Sequence, residues 1–343
     1  MKKYRFLAAA FVLAASVSAA TSSAAARDAI RVATTKSSGS ATIYIAKDRG
    51  YFDKEGLDVS WTYFENQNDL TSSVIAGQND VATAGLIAGF YNVAAKQELR
   101  VIAGLISEKP HFQSATFVVT PAAYEKGLRA PKDLLKGARI GIATKGSAHQ
   151  FALFRLADKY GVDPNTLKIV TMQSNGNILA ALQNNAVDAA VMSAVPAATA
   201  AAAGAGKIVG YVGDETPGNG PSFFTRADVI GTKRDEMVRF LRAMLQAAKD
   251  YDAAFQQLGP DGKPVRTKEA DDILAIVSKY TEQPVSVISG AMTYIDPKGG
   301  FTLDEMKTQI ATWQEVGMVD RSVTADKLLD TSLLDEAISK KSN

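Results

Sequence analysis

The sequence contains no cysteine among its 343 residues. A disulfide therefore cannot hold the fold together, and stability has to come from a buried core, for which 46% of hydrophobic residues is sufficient. The same absence excludes a thiol nucleophile, a thiolate metal ligand and a lipid anchor attached through cysteine.

Histidine is scarce as well, because only His111 and His149 occur. A zinc site needs several His or Cys ligands, and the sequence has no carboxylate-rich calcium loop, so we expect neither a metal nor another cofactor. The Gly-x-Ser-x-Gly and Ser-x-x-Lys patterns of serine hydrolases are also missing. We therefore expect no catalytic role for Ser147 and His149, and no enzymatic activity.

Concentrated basic patches and long apolar runs are missing from most of the chain, which argues against nucleic acid as a partner and against a membrane-spanning helix. The N-terminus differs, since Lys2, Lys3 and Arg5 precede a short apolar run and the small residues at 24–26. This pattern predicts a signal peptide over residues 1–26, cleaved near Ala26, with an ordinary helix as the alternative. Cleavage would leave 35 basic and 36 acidic residues. Without a lipid anchor, we expect the mature chain to be free in the periplasm.

The chain contains one long internal repeat. The segment "IRVATTKSSGSATIYIAKDRGYFDKEGLDVSWTYFE" parallels "ARIGIATKGSAHQFALFRLADKYGVDPNTLKIVTMQS". Further on, Leu70 and Asp80 lie 108 positions before Ile178 and Asp188. Each copy has the order strand, helix, strand, helix, strand, which is typical of a parallel sheet covered by helices. The two aspartates precede the third strand of their copies and are expected to cap or turn the chain.

Two such units predict an α/β fold of two lobes, each a mainly parallel sheet flanked by helices. We expect residues 27–117 to form the first part of lobe 1, 118–222 to form lobe 2, and 223–343 to form the return crossover and the helical completion of lobe 1. The strand-like segments Thr116–Pro121 and Phe223–Ala227 are interpreted as two crossovers that would permit clamshell closure. Apolar periodicity predicts a helix from Met237 to Phe255. Two further helices, near residues 268–280 and 303–316, are expected to pack on the first lobe.

The loops after the first strand of each copy are the candidate binding elements. Ligands of open α/β sheets bind beyond the carboxyl ends of the strands, so Lys36–Thr42 and Lys145–His149 should face a shared cleft. Helix starts offer free N–H groups, glycine allows close approach, and serine adds a hydroxyl. The same residues also make good helix caps, so each loop taken alone could be purely structural. His149 could contact a ligand or the opposite lobe, or lie on the surface.

Other loops at the same sheet ends are rich in amides, which both donate and accept hydrogen bonds. They are Glu65-Asn66-Gln67-Asn68 in the first copy and Gln173-Ser174-Asn175-Gly176-Asn177 in the second. Asn and Gly are also ordinary turn residues. The third strands end at Gly85-Leu86 and at Ser193–Pro196, which are candidates for the cleft floor.

Several of these stretches together resemble a known family. "SATIYIAKDRGYFDKEGLDVSW", "AGQNDVATAG", "APKDLLKGARIGIATKGSAHQ" and "NNAVDAAVMSAVPA" are similar to the periplasmic substrate-binding proteins of ABC importers for nitrate, sulfonate and taurine. The resemblance runs over roughly residues 30–320. It implies the two-lobed type II periplasmic binding protein fold, and a monomer that binds a small solute between the lobes and delivers it to a membrane permease with its ATPase. The implied ligand contacts are Ser37, Ser38, Gly39, Ser40, Thr42, Gly85, Leu86, Gly146, Ser147, Ala148, His149, Asn175, Ser193, Ala194 and Val195.

The resemblance leaves other functions open. A sensory receptor for a membrane kinase would share every feature above, and the family includes binders of thiamine-pyrimidine precursors. The enzymes that make that pyrimidine carry a cysteine-rich segment, which this chain lacks. The matched loops also lack arginine, the residue best shaped to grip a carboxylate or sulfonate, so the sequence does not determine the ligand. A transcription regulator's effector domain is disfavoured by the signal peptide, and an exported hydrolase by the missing catalytic pattern.

Overall fold

The computed structural model describes residues 27–290 and 293–339, so the predicted signal peptide lies outside the described residues. The strands in this part of the chain are β1 (Asp28–Thr34), β2 (Leu57–Tyr63), β3 (Val81–Ala84), β4 (Leu99–Gly104), β5 (Ile106–Glu108), β6 (Ala115–Val119), β7 (Arg139–Ile142), β8 (Lys168–Thr171), β9 (Ala189–Ser193), β10 (Lys207–Tyr211), β11 (Gly218–Asn219), β12 (Ser222–Arg226), β13 (Gln257–Leu258), β14 (Pro264–Val265) and β15 (Tyr294–Ile295).

The helices of the same part alternate with these strands in both copies of the repeat. They are α1 (Ala41–Asp48), α2 (Tyr51–Lys54), α3 (Gln67–Ile75), α4 (Ala88–Lys96), α5 (Pro121–Glu125), α6 (Ala148–Lys159), α7 (Asn175–Gln183), α8 (Ala194–Ala202), α9 (Val212–Glu215), α10 (Ala227–Thr232), α11 (Arg234–Phe255), α12 (Ala270–Thr281), α13 (Val285–Ile288), α14 (Leu303–Glu315) and α15 (Ser332–Ser339). The helices predicted at the C-terminal end are therefore present as α11, α12 and α14.

The strands form two five-stranded sheets with the same plan. The first has the order β2-β1-β3-β12-β4, and the second has the order β10-β6-β9-β7-β8. In each, three strands of one repeat copy run parallel, and β12 or β6 is added antiparallel. The predicted fold of two mainly parallel sheets flanked by helices is confirmed.

A pair of matching ion pairs shows the duplication in three dimensions. The backbone N, Nε and Nη2 atoms of Arg31 all donate to the carboxylate of Asp80, at 2.9 to 3.1 Å. The same three atoms of Arg139 donate to Asp188, at 2.8 to 3.0 Å. Each pair ties the first strand of a copy to the turn before its third strand. The two aspartates therefore stabilise the sheet ends opposite the candidate cleft, as expected of residues that turn the chain.

The connections between the sheets differ from the predicted crossovers. Thr116–Val119 belong to β6 inside the second sheet, and Phe223–Arg226 belong to β12 inside the first. The chain leaves the first sheet through β5 and returns through β11. In a small antiparallel sheet, β5 lies in the middle and pairs with β11 on one side and with β15 on the other. Each connection therefore precedes the segment that the sequence suggested.

The molecule has two halves, one built on the first sheet and the other on the second, and each has its own buried core. In the first, α1, α11 and α12 cover one face of the sheet with residues such as Tyr44, Phe240 and Ile273. The second sheet is covered on its two faces by separate clusters, which include Leu153 and Ile178. None of the helices formed by residues 27–290 and 293–339 is long and apolar enough to span a bilayer.

Candidate functional site

The first candidate loop, Lys36–Thr42, is held by hydrogen bonds between hydroxyl groups. After β1, the chain forms a 3-10 turn at Ser38–Ser40 before α1 begins. Ser40 Oγ lies 2.8 Å from Thr34 Oγ1 and donates to Thr35 O at 3.0 Å. The Ser40 hydroxyl is therefore committed to the lobe interior, whereas Ser37, Ser38 and Gly39 remain partly exposed.

The second candidate loop, Lys145–His149, leads into α6, and two hydrogen bonds in opposite directions cap the start of this helix. Ser147 Oγ accepts from Gln150 N at 3.4 Å, and Gln150 Oε1 accepts from Gly146 N at 2.7 Å. The serine thus acts as a helix cap, one of the two roles that the sequence allowed. Gly146 has a φ of +73°, a left-handed conformation that favours glycine.

The two halves touch directly at this loop. Gly146 O accepts a hydrogen bond of 2.8 Å from Ala88 N, in the first turn of α4. A Cβ atom on Gly146 would lie only 2.8 Å from Cβ of Ala88. Since Gly85 and Leu86 lead into α4, the structure brings these predicted residues of the first half next to Gly146 of the second.

Helix α14 extends this contact away from the loops. Its Trp313 ring lies 6.0 Å from the ring of Phe151 and 5.7 Å from that of Phe154, both on α6. Arg155 Nη1 donates to Glu305 at 2.9 Å and to Pro217 O beside β11. The helix was expected to pack on the first lobe, and it also joins that lobe to the second.

Helix α13 makes a second contact between the two halves. Helix α13 packs against α8, the helix that begins at Ala194. Just before α13, Glu282 forms an ion pair of 2.8 Å with Lys36 in the first candidate loop. Ala194 N donates to Ser114 O at 2.8 Å. On either side of Ala194, Ser193 is exposed and Val195 is partly exposed.

His149 lies in the first turn of α6 and is partly exposed. Its ring makes no hydrogen bond to any residue that the structure describes. Burial lowers the pKa of His149 to about 4, so the imidazole is uncharged at neutral pH. A neutral imidazole offers one donor and one acceptor to a ligand.

The structure places Thr42 away from the other predicted contacts and leaves Asn175 exposed. Thr42 is buried, and it lines a small cavity of about 20 Å³ together with Leu241 and Met244 of α11, inside the first half. Asn175, the first residue of α7, is fully exposed at the edge of the second sheet. The structure therefore brings Gly85, Leu86 and Gly146 together, but places Thr42 in the core.

Gln67 is a candidate contact that the sequence does not predict individually, although it predicts the amide-rich loop that contains this residue. It is the first residue of α3, whose start is capped by Asn66, just as Ser174 caps the start of α7 before Asn175. The 108-residue offset of the repeat pairs Gln67 with Asn175, so the repeat itself carried the signal. The Gln67 amide lies over Gly85, with Nε2 3.2 Å from the Cβ position of that glycine.

Aromatic rings stand behind the first loop. The Tyr44 ring stacks on Tyr280 at 5.1 Å and lies 6.1 Å from Trp61. Burial above all, together with the neighbouring Tyr63 hydroxyl, raises the pKa of Tyr44, so its hydroxyl remains protonated. No group of three or more His, Asp or Glu residues within the described ranges could hold a metal ion.

Comparison with solved structures identifies the fold. The periplasmic aliphatic sulphonate binding protein SsuA from Escherichia coli matches with a TM-score of 0.69 and 18% identity, over 88% of this chain and 91% of that chain. The periplasmic nitrate-binding protein NrtA from Synechocystis PCC 6803 matches with a TM-score of 0.71 and 13% identity, over 91% and 89%. These likenesses confirm the expected type II periplasmic binding protein fold.

The family follows from the sequence match. A family model described as NMT1/THI5 like matches residues 37–255, and the chain belongs to this family. Among known proteins, the 4-amino-5-hydroxymethyl-2-methylpyrimidine phosphate synthase of Schizosaccharomyces pombe is 28% identical over 151 residues, which are 43% of this chain and 40% of that protein. The chain thus matches about two fifths of that relative's length.

Proposed function

We propose that the protein is the periplasmic solute-binding component of an ABC importer. It binds a small organic solute, such as a sulfonate, a taurine-like compound or a related anion or zwitterion, between its two halves. The observation that carries this proposal is the pair of equivalent helix starts, at Ser38–Ser40 and at Ser147, which follow the first strands of two duplicated sheets.

The proposed contacts come from both halves. Ser37, Ser38 and Gly39 supply partly exposed hydroxyl and N–H groups from the first half, with Gly85 and Leu86 beside them. Ala148 and His149 supply the first turn of α6, and Ser193 to Val195 supply the start of α8. A site with these groups binds by hydrogen bonds from hydroxyls, amides and helix starts rather than through an arginine clamp.

Binding is coupled to closure of the halves about the β5–β11 pair. The contacts Ala88–Gly146 and α8–α13 are made when the halves approach each other. A solute favours that approach only through contacts that it makes in the closed form. We propose a two-state receptor without turnover, which presents its closed form to the permease and acts as a monomer.

Solute binding can be tested by calorimetry and thermal unfolding with taurine, ethanesulfonate, nitrate, acetate and 4-aminopyrimidine. A solute at about 100 times its dissociation constant should raise the free energy of unfolding by about 2.7 kcal/mol. The radius of gyration from small-angle scattering should not increase in its presence. The proposal would be refuted if every compound left the melting temperature unchanged and gave no heat of binding.

Binding of a thiamine-pyrimidine precursor is the second candidate. Two observations favour it: the similarity to the Schizosaccharomyces pombe synthase, and the aromatic group of Tyr44, Trp61 and Tyr280 behind the first loop. Stabilisation by 4-aminopyrimidine but not by sulfonates would select this function.

Transport and sensing are separated by the partner. For a transport component, we expect solute uptake by whole cells to fall when the gene is deleted, and the protein to co-purify with a permease and its ATPase. A sensory receptor would instead co-purify with a membrane kinase and leave uptake unchanged.

A further inference from the structure

The start of α3 is closely hydrogen-bonded except for one side chain. Asn66 Oδ1 accepts from Asp69 N at 2.9 Å, and Thr71 Oγ1 donates to Gln67 O at 2.8 Å. The side-chain amide of Gln67 makes no hydrogen bond to any described residue, and its Oε1 is shielded from solvent. An acceptor in that position costs free energy unless a donor reaches it.

The position of this amide connects it to the cleft. It lies on Gly85 at the carboxyl end of β3, and three residues later the chain makes the Ala88–Gly146 contact between the halves. Its counterpart in the other copy, Asn175, is exposed and can bond to water. The unpaired acceptor is therefore a property of the first half alone, on the glycine that lies three residues before the Ala88–Gly146 contact between the halves.

The charge of the first loop is already compensated. Lys36 Nζ lies 2.8 Å from Glu282, so this lysine does not present a free cation to an anionic solute. Lys145, in the facing loop, is exposed, and water screens its charge. The unmet requirement in this part of the site is for a hydrogen-bond donor.

We propose that Gln67 determines specificity by accepting a hydrogen bond from an N–H or O–H group of the solute. This inference rests on the proposed function. It narrows the substrate class to solutes that carry a donor group, such as amino sulfonates, amides or aminopyrimidines, and excludes simple anions as the main ligand. Opening of the halves would let water reach Gln67, and closure over a donor would replace that water.

Matched pairs of compounds test the inference by calorimetry. Taurine and ethanesulfonate differ by one amino group, and so do 4-aminopyrimidine and pyrimidine. For any pair that binds, we expect the amino compound to bind about 10-fold more tightly, the effect of one hydrogen bond. Equal or tighter binding of the compound without the amino group would overturn the inference but leave the proposed function standing. If no compound of either pair binds, the proposed function fails over these solutes, and the inference fails with it.

Three variants separate the role of Gln67 from a structural one. Gln67→Leu removes the acceptor and should abolish the preference for the amino compound. Gln67→Glu retains an acceptor and should keep the preference, whereas an amide that donates to an anion would lose binding in this variant. Gln78→Leu makes the same change at an exposed glutamine beyond α3 and should behave as wild type. Persistence of the 10-fold preference in Gln67→Leu would refute the assignment.

Discussion

Substitution of Gly146 tests how closely the two halves approach each other. Gly146 and Gly161 stand at the two ends of α6 with φ values of +73° and +67°. Alanine at either position adopts a left-handed backbone at a cost of about 1 kcal/mol. A Cβ atom on Gly161 would meet no described atom within 4 Å, whereas one on Gly146 would lie 2.8 Å from Cβ of Ala88. The two variants therefore share the backbone strain but differ in the collision.

The collision sets the expected difference in stability. Relief of the 2.8 Å contact requires Gly146 and Ala88 to move apart, which breaks their hydrogen bond and leaves the Ala88 N–H without its acceptor. Loss of such a bond costs about 1 to 3 kcal/mol. We expect Gly146→Ala to lower the free energy of unfolding by about 3 kcal/mol and Gly161→Ala by about 1 kcal/mol.

Urea unfolding followed by circular dichroism measures both values, and the slope of the transition shows whether unfolding stays cooperative. Small-angle scattering should show a larger radius of gyration for Gly146→Ala only. Equal destabilisation of the two variants, with no change in radius, would refute the reasoning that the halves are in contact at this loop.

Three further predictions concern buried or paired groups. The Asp80 side chain is 3% exposed and that of Asp188 is 34% exposed. In urea unfolding, Asp80→Asn should therefore lower the free energy of unfolding by about 3 kcal/mol and Asp188→Asn by about 1 kcal/mol. The reverse order would contradict the role of burial. Burial raises the pKa of Glu108, in β5, from 4.5 to about 7. The stability that protonated Glu108 contributes is full below pH 4.5 and is lost as the pH rises through 7, by about 3 kcal/mol. In a pH series, the free energy of unfolding should therefore fall less for Glu108→Gln than for wild type. Trp313→Ala should cost about 3 to 5 kcal/mol in thermal or urea unfolding, because the ring is buried against α6; a loss below 1 kcal/mol would show that the α14 contact is not formed in solution.

The sequence predicted the sheets well because the signal was repeated. Two copies of strand, helix, strand, helix, strand constrain each other, and the paired aspartates Asp80 and Asp188 mark the same turn in both. The crossovers were misplaced for a physical reason. β5 has three residues and β11 has two, too few for an apolar pattern, whereas β6 and β12 are five-residue strands whose apolar stretches, Phe117–Val119 and Phe223–Phe224, attracted the assignment.

The candidate site was only partly predictable. Loops at the carboxyl ends of strands follow from the topology, so Gly85 and Gly146 could be expected to meet. The rotation of a short helix about its axis does not follow from composition. Thr42 was therefore predicted to contact the ligand, although it lies in the core. Gln67 resembles an ordinary turn residue in sequence, and its unpaired amide becomes visible only when the packing over Gly85 is known. The contact of Trp313 with Phe151 and Phe154 joins residues that are far apart in the chain, and no local pattern encodes it.

The place of β12 has a consequence for how the polypeptide acquires its structure. This strand lies between β3 and β4, yet it follows all the strands of the other sheet in the chain. The segment from β6 to β10 is continuous and can assemble by itself during synthesis, while the earlier segment waits with an empty slot between two apolar strands. We therefore expect the middle of the chain to fold first, and the slot between β3 and β4 to stay open until residue 226 has emerged.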